Sequence, residues 1–192
     1  MKKLLIFIMG VVLVFTMAGC SVGVGNVTGT ADGQLVTEED LKQQEEEASA
    51  NAEKENITDE DFEDNLAGLE SYFKKLGIIA EDASKIEMDA SFIGAKEGIK
   101  YTFSYTLSEK NSVNISMELY EFDLENLDQA GESTIQSVKE KGSFIILNNE
   151  VKATLSNSGK YLMIYTDNGS ADNEENNMHK EEVNKRFQEF KS

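Results

Sequence analysis

Few residues in this chain have side chains suited to catalysis. Its 192 residues include one cysteine, Cys20, and one histidine, His179. A zinc site needs a cluster of His and Cys ligands, so the sequence predicts no such metal site. A Ser-His-Asp arrangement would have to use His179, which lies in a polar stretch beside Lys180 and is interpreted as a solvated helix residue. The sequence contains no glycine-rich phosphate loop, and we expect no cofactor.

One group of carboxylates lies along a predicted strand. Glu118, Glu121 and Asp123 are close in sequence, and paired carboxylates can act as general acid and base. Because Glu118 and Glu121 are three positions apart, a regular strand directs them to opposite faces of the sheet. Exposed sheet charges are therefore the favoured interpretation, and a carboxylate-dependent hydrolase is the weakest of the functions considered.

A second acidic group occupies residues 167–177. Asp167, Asn168, Asp172, Glu174 and Glu175 offer the oxygen ligands that calcium prefers. An EF-hand frame starting at Asp167 fails, however, because it puts non-ligating residues at ligand positions. The segment is interpreted as a solvated loop, with cation binding left open.

Aromatic side chains recur at every second position of the predicted strands. Tyr101, Phe103 and Tyr105 share one face of a strand, as do Tyr161 and Tyr165. If helices leave this face open, it could bind a glycan or a peptide. The alternative, and the favoured one, is that these rings belong to the core.

The first twenty residues have the layout of a secretory signal peptide. Lys2 and Lys3 precede an apolar run that ends near Met17, and the run is too short for a permanent transmembrane helix. Residues 17–20, Met-Ala-Gly-Cys, resemble the lipobox of a bacterial lipoprotein precursor. The resemblance implies cleavage between Gly19 and Cys20 and a diacylglyceryl group on the Cys20 thiol. The alternative is an ordinary unpaired cysteine in a secreted protein, which is unusual in an oxidising compartment.

Charge and composition limit the classes of partner that the chain can bind. The formal net charge is −18, so the chain would be repelled by nucleic acid and by anionic lipid headgroups. Cations, cationic peptides and proteins with basic patches are the compatible partners. Beyond the leader, length and composition are similar to small, uncharacterised lipoproteins of Gram-positive, clostridia-like bacteria.

The sequence predicts three segments. Residues 1–19 are a lipoprotein signal peptide, residues 20–56 form a lipidated, disordered acidic tether, and residues 57–192 form one domain. The tether assignment follows from low hydrophobicity and high charge, which cannot offset chain entropy.

Hydrophobic periodicity predicts the elements of the domain. A first helix is expected to start at a capping box at Thr58 and to carry an apolar stripe, and a short second helix near 81–88 is possible. Alternating segments predict strands near 99–107, 113–122, 143–147, 151–155 and 161–165, and helices are expected near 126–141 and 178–190. The stripe consists of Phe62, Leu66, Leu69, Phe73 and Leu76. We therefore expect an α+β fold with an antiparallel sheet of about five strands and helices packed on one face.

These observations favour a binding protein over an enzyme. The sequence predicts a lipoprotein anchored through Cys20 to the extracytoplasmic side of the cell membrane, with a small non-catalytic domain that binds a ligand or a protein partner. An accessory ligand-binding lipoprotein of a transport system is the alternative.

Overall fold

A computed structural model describes residues 57–108 and 111–192, which form an antiparallel sheet flanked by helices. Short 3-10 turns at Asp59–Asp61 and Ser91–Ile93 accompany the longer elements. The helices are α1 (Leu66–Lys75), α2 (Gln129–Lys141) and α3 (Glu174–Glu189). The strands are β1 (Ser84–Met88), β2 (Glu97–Ser108), β3 (Asn111–Glu121), β4 (Ser143–Ile146), β5 (Asn149–Lys152), β6 (Thr154–Leu155) and β7 (Tyr161–Asp167).

The main sheet has five strands in the order β1-β2-β3-β7-β6, and every neighbouring pair is antiparallel. Strands β4 and β5 form a separate antiparallel hairpin. The α+β class and the antiparallel sheet predicted from the sequence are thus confirmed.

One face of the sheet is covered by α1 and α3. The predicted apolar stripe lies in this interface: Leu69 and Phe73 are fully buried, and Phe62 is half-buried against the same core. The odd-numbered residues of β2, β3 and β7 point toward these helices and form the sheet side of the core between them. We call this the covered face.

The other face carries a smaller core. Tyr120, Leu162 and Ile164 of the sheet pack there with Ile135 and Val138 of α2 and with Phe144 of the hairpin. The expectation that the helices share one face is therefore correct for α1 and α3 but wrong for α2. The reason lies in the strand sequences, because part of β3 and β7 is apolar at both odd and even positions and needs cover on both sides.

Two local predictions are also wrong. Helix α1 begins at Leu66 and not near Thr58, because the Asn65 side chain accepts a hydrogen bond from the Gly68 amide and caps the helix there. The segment with a possible helix near 81–88 forms strand β1, whose partner β2 supplies the backbone hydrogen bonds that its local sequence does not encode.

The predicted signal peptide and tether, with Gly19 and Cys20, lie outside the described residues and remain predictions. Within residues 57–108 and 111–192, none of the helices has the length and apolar character needed to cross a membrane.

Candidate functional site

A cleft of about 440 Å³ lies between the N-terminal half of α1 and the first two strands. Its position follows from the Asn65 cap, which starts α1 above the beginning of β2, and from the turn that joins β1 to β2. Its size is in the range of small-molecule sites, but its walls are more charged than usual. The charged residues of its lining are Glu70, Lys85, Glu87, Asp89, Lys96 and Glu97.

Glu70 organises the floor of this cleft. Its carboxylate accepts hydrogen bonds from the Nζ atoms of Lys74 and Lys85, at 2.7 and 2.6 Å. Burial by itself would raise the pKa of Glu70, but the two ammonium groups lower it to about 2. Glu70 therefore stays ionised under ordinary conditions and holds Lys85 at the cleft.

The opposite end of the cleft is joined to a buried carboxylate. Glu121, whose side chain is 5% exposed, accepts a hydrogen bond of 2.7 Å from the backbone amide of Leu66 at the start of α1. The Nζ atoms of Lys96 and Lys160 lie 3.5 and 3.6 Å from the same carboxylate. A carboxylate at a helix N-terminus is favoured by the helix dipole. Glu121 therefore fixes α1 to the sheet.

The remaining carboxylates of β3 also have structural partners. Glu118 accepts hydrogen bonds from Lys100 Nζ and from the Tyr120 hydroxyl, both at 2.9 Å. Glu118 and Glu121 do point to opposite faces, as the spacing predicted. The interpretation of both as exposed sheet charges is wrong, because Glu121 is buried and Glu118 is half-buried. Asp123 is exposed and accepts from Asn126 in a turn.

The predicted aromatic platform is not open. Tyr101, Phe103 and Tyr161 are buried on the covered face, and Tyr105 and Tyr165 are half-buried at its edge. The Tyr161 hydroxyl donates a 2.7 Å hydrogen bond to Asp64, and burial followed by this bond raises the pKa of Tyr161. The packing of these rings beneath α1 and α3 agrees with the core alternative.

Helix α3 includes His179 and the end of the acidic segment 167–177. Asn173 caps α3, and Glu174 and Glu175 occupy its first turn, where negative charge is stabilising. Helix α3 thus begins four residues earlier than the sequence predicted. The His179 ring stacks on the Tyr105 ring at a centroid distance of 3.8 Å, so its interpretation as a solvated residue is wrong.

Asp167 is engaged within the protein. Its side chain is 2% exposed and forms an ion pair with Lys180 at 2.8 Å. Burial alone would raise the pKa of Asp167, but hydrogen bonds from Lys180, Asn176 and the Gly169 amide hold it below its usual range. Across the described ranges, no group of three or more His, Cys, Asp or Glu side chains is arranged to hold a metal ion.

A second accessible surface lies on the sheet face opposite the aromatic rings. Helix α2 covers only one end of this face, and the other end is lined by small uncharged side chains. Register pairing places Ser84, Thr102, Ser116 and Thr166 in one row across four strands. We call this surface the polar face; it comprises Ser84, Thr102, Ser104, Thr106, Ser112, Asn114, Ser116 and Thr166.

The motifs and periodicities of the sequence do not predict the polar face as a site. All of its residues are exposed except Ser116, which is half-buried. Lys100 and Glu118 border it and neutralise each other across β2 and β3. The sequence does contain a pattern that predicts this face: small polar residues at the even-numbered positions of β2 and β3 alternate with aromatic and aliphatic residues.

Comparison with protein-family models, with curated proteins and with solved structures finds no match for this chain.

Proposed function

We propose that this chain is a lipid-anchored extracytoplasmic lipoprotein whose folded part is a non-catalytic binding module. The anchor rests on the lipobox at residues 17–20, in which Cys20 would carry the lipid. Two acyl chains suffice for stable attachment, so no basic patch is needed. The binding role rests on one observation, the exposed and uncharged polar face of a protein with a net charge of −18.

Exposure without charge is what makes this face suited to a partner. The Ser104 hydroxyl donates a 2.8 Å hydrogen bond to the Asn114 amide oxygen. The Thr102 hydroxyl can donate or accept, the Ser104 oxygen can still accept, and the Asn114 amide nitrogen can still donate. A protein partner that docks there binds through hydrogen bonds and does not need charged side chains to match this face. The carboxylates suited to acid–base chemistry, Glu118 and Glu121, are committed to Lys100 and to the start of α1, which supports a non-catalytic role.

The anchor is tested by metabolic labelling with an alkynyl fatty acid. The wild-type chain should incorporate the label and partition with membranes, whereas Cys20→Ala should lose the label and retain the leader. Normal processing and equal membrane binding of Cys20→Ala would exclude the anchor.

The binding role is tested by photo-cross-linking in the cells that produce the protein. A photoreactive residue at Thr102 should give a discrete cross-linked protein, and the same residue at Lys75, which is exposed on α1, should not. Equal cross-linking from both positions would contradict a role for the polar face.

A small-ligand role, as in an accessory transport lipoprotein, is the second candidate. The cleft beside α1 favours it, since four of its six charged lining residues are acidic. Such a site suits a small cationic or zwitterionic ligand. Putrescine, used as a probe in calorimetric titration, should bind the wild type and bind Glu87→Gln less tightly; equal binding by both would exclude this candidate.

A further inference from the structure

The outermost strand of the sheet has an edge that no strand of the described fold covers. Strand β1 pairs with β2 on one side only, and the first four of its five residues are exposed. The unpaired backbone groups of such an edge can accept another strand. The opposite edge is formed by β6, which has two half-buried residues and offers much less backbone.

The side chains of β1 carry a self-complementary pattern. Lys85 and Glu87 flank Ile86, and their side chains share the face that α1 covers. Ile86 points to the other face and is 54% exposed. Charged residues on an edge strand usually prevent pairing, but opposite charges two residues apart permit one register and oppose the others.

We propose that β1 pairs antiparallel with β1 of a second copy of this chain, about a two-fold axis at Ile86. In this register Lys85 lies opposite Glu87 of the second copy, and the symmetry repeats the contact. Ile86 lies opposite Ile86 of the second copy, which reduces the exposure of both. Shifting the axis to Lys85 or to Glu87 places like charges directly opposite each other, so the charge pattern selects the register.

The pairing has two structural consequences. The two-fold axis runs perpendicular to the sheet, so the two five-stranded sheets join with their polar faces on the same side. Glu87 of the second copy also approaches Lys85 at the cleft, next to Glu70. A strand of five residues gives a small interface, and the expected association is weak in dilute solution.

The register is tested by disulfide trapping in the full chain carrying Cys20→Ala. Ile86→Cys places two cysteines opposite each other, with Cα atoms about 4.5–5.5 Å apart, within disulfide range. Ser84→Cys is the matched control on the same strand and face, and its two copies would be about 14 Å apart along the strand at roughly 3.4 Å per residue. Under mild oxidation, Ile86→Cys should form a linked dimer and Ser84→Cys should not. Equal yields, or no dimer from Ile86→Cys, would overturn the proposal.

Charge reversal tests the pattern independently of lipid attachment and of any ligand. In the Ile86→Cys chain, Glu87→Lys should lower the yield of linked dimer about tenfold, because it replaces two attractive contacts by two repulsive ones. Lys85→Glu should do the same, although it also removes the ion pair with Glu70. The double reversal should restore the yield, and a mixture of the two single variants should give a mixed dimer. An unchanged yield with Glu87→Lys would exclude the charge-selected register.

Discussion

The two faces of this sheet are made by alternate residues of the same strands, yet one is covered by α1 and α3 and the other is exposed wherever α2 does not cover it. Odd-numbered positions such as Tyr101, Phe103 and Met117 are buried beneath α1 and α3. Even-numbered neighbours such as Thr102, Ser104 and Asn114 stay exposed. The comparison shows that aromatic residues, which look like ligand contacts in the sequence, are used here for stability. The polar face, for which we propose a binding role, is made of exposed polar side chains that do not take part in the core.

The largest difference between the faces should be in the stability lost when a side chain is truncated to alanine. Phe73→Ala removes a fully buried ring from the covered face and should destabilise the fold by about 3–5 kcal/mol. We expect its Tm, followed by circular dichroism, to fall by about 10 °C or more. The control Phe92→Ala removes a ring that is 50% exposed and should change Tm much less. Similar shifts for both variants would mean that the covered face is not the main source of stability.

A smaller effect is expected where a charge fixes a helix to the covered face. Glu121→Gln keeps the shape of the side chain but weakens its contacts with the α1 N-terminus, Lys96 and Lys160. We expect a loss of about 1–2 kcal/mol in the free energy of unfolding, measured by urea titration. The exposed Glu125→Gln should be close to wild type. A neutral Glu121→Gln would show that the α1 contact does not depend on the charge.

The covered face should also give the fold an acid-sensitive contact. The pKa of Glu70 is lowered from 4.5 to about 2 in the folded state. Its contribution is therefore present above the unfolded pKa and is lost as the pH falls from about 4.5 to about 2. The Tm difference between the wild type and Glu70→Gln should be largest near pH 6 and small at pH 2. A difference that does not change with pH would rule out this ion-pair contribution.

The smallest effect on stability is expected on the polar face. Thr102→Val and Thr106→Val keep β-branched side chains and remove the hydroxyls, so the free energy of unfolding should change by no more than about 0.5 kcal/mol. Introduced beside a photoreactive residue at Ser104, the same changes should reduce cross-linking to a partner. Unfolding of these variants would contradict the small role of the polar face in stability, and unaltered cross-linking would contradict its role in binding.

Much of the architecture follows from periodicity. Alternation over β2 and β3 and the apolar stripe of α1 predict both the sheet and its contact with that helix. The sequence predicts too early a start for α1 because Thr58 and Asn65 are both suitable N-caps. The choice between them depends on the distant Glu121, which binds the Leu66 amide. The sequence does not predict strand β1, because the pairing of β1 with β2 overrides a weak local preference.

The sequence by itself determined the class of fold, the core stripe and the strongly acidic character, because each depends on residue type and on local spacing. It also predicts the lipid anchor at Cys20, which lies outside the described residues. Only the tertiary structure decided which sheet face α1 and α3 cover. An alternating strand has two faces, and the face that receives these helices depends on contacts between residues distant in sequence. The same long-range packing buried Glu121 and Asp167 and left the polar face and the β1 edge exposed.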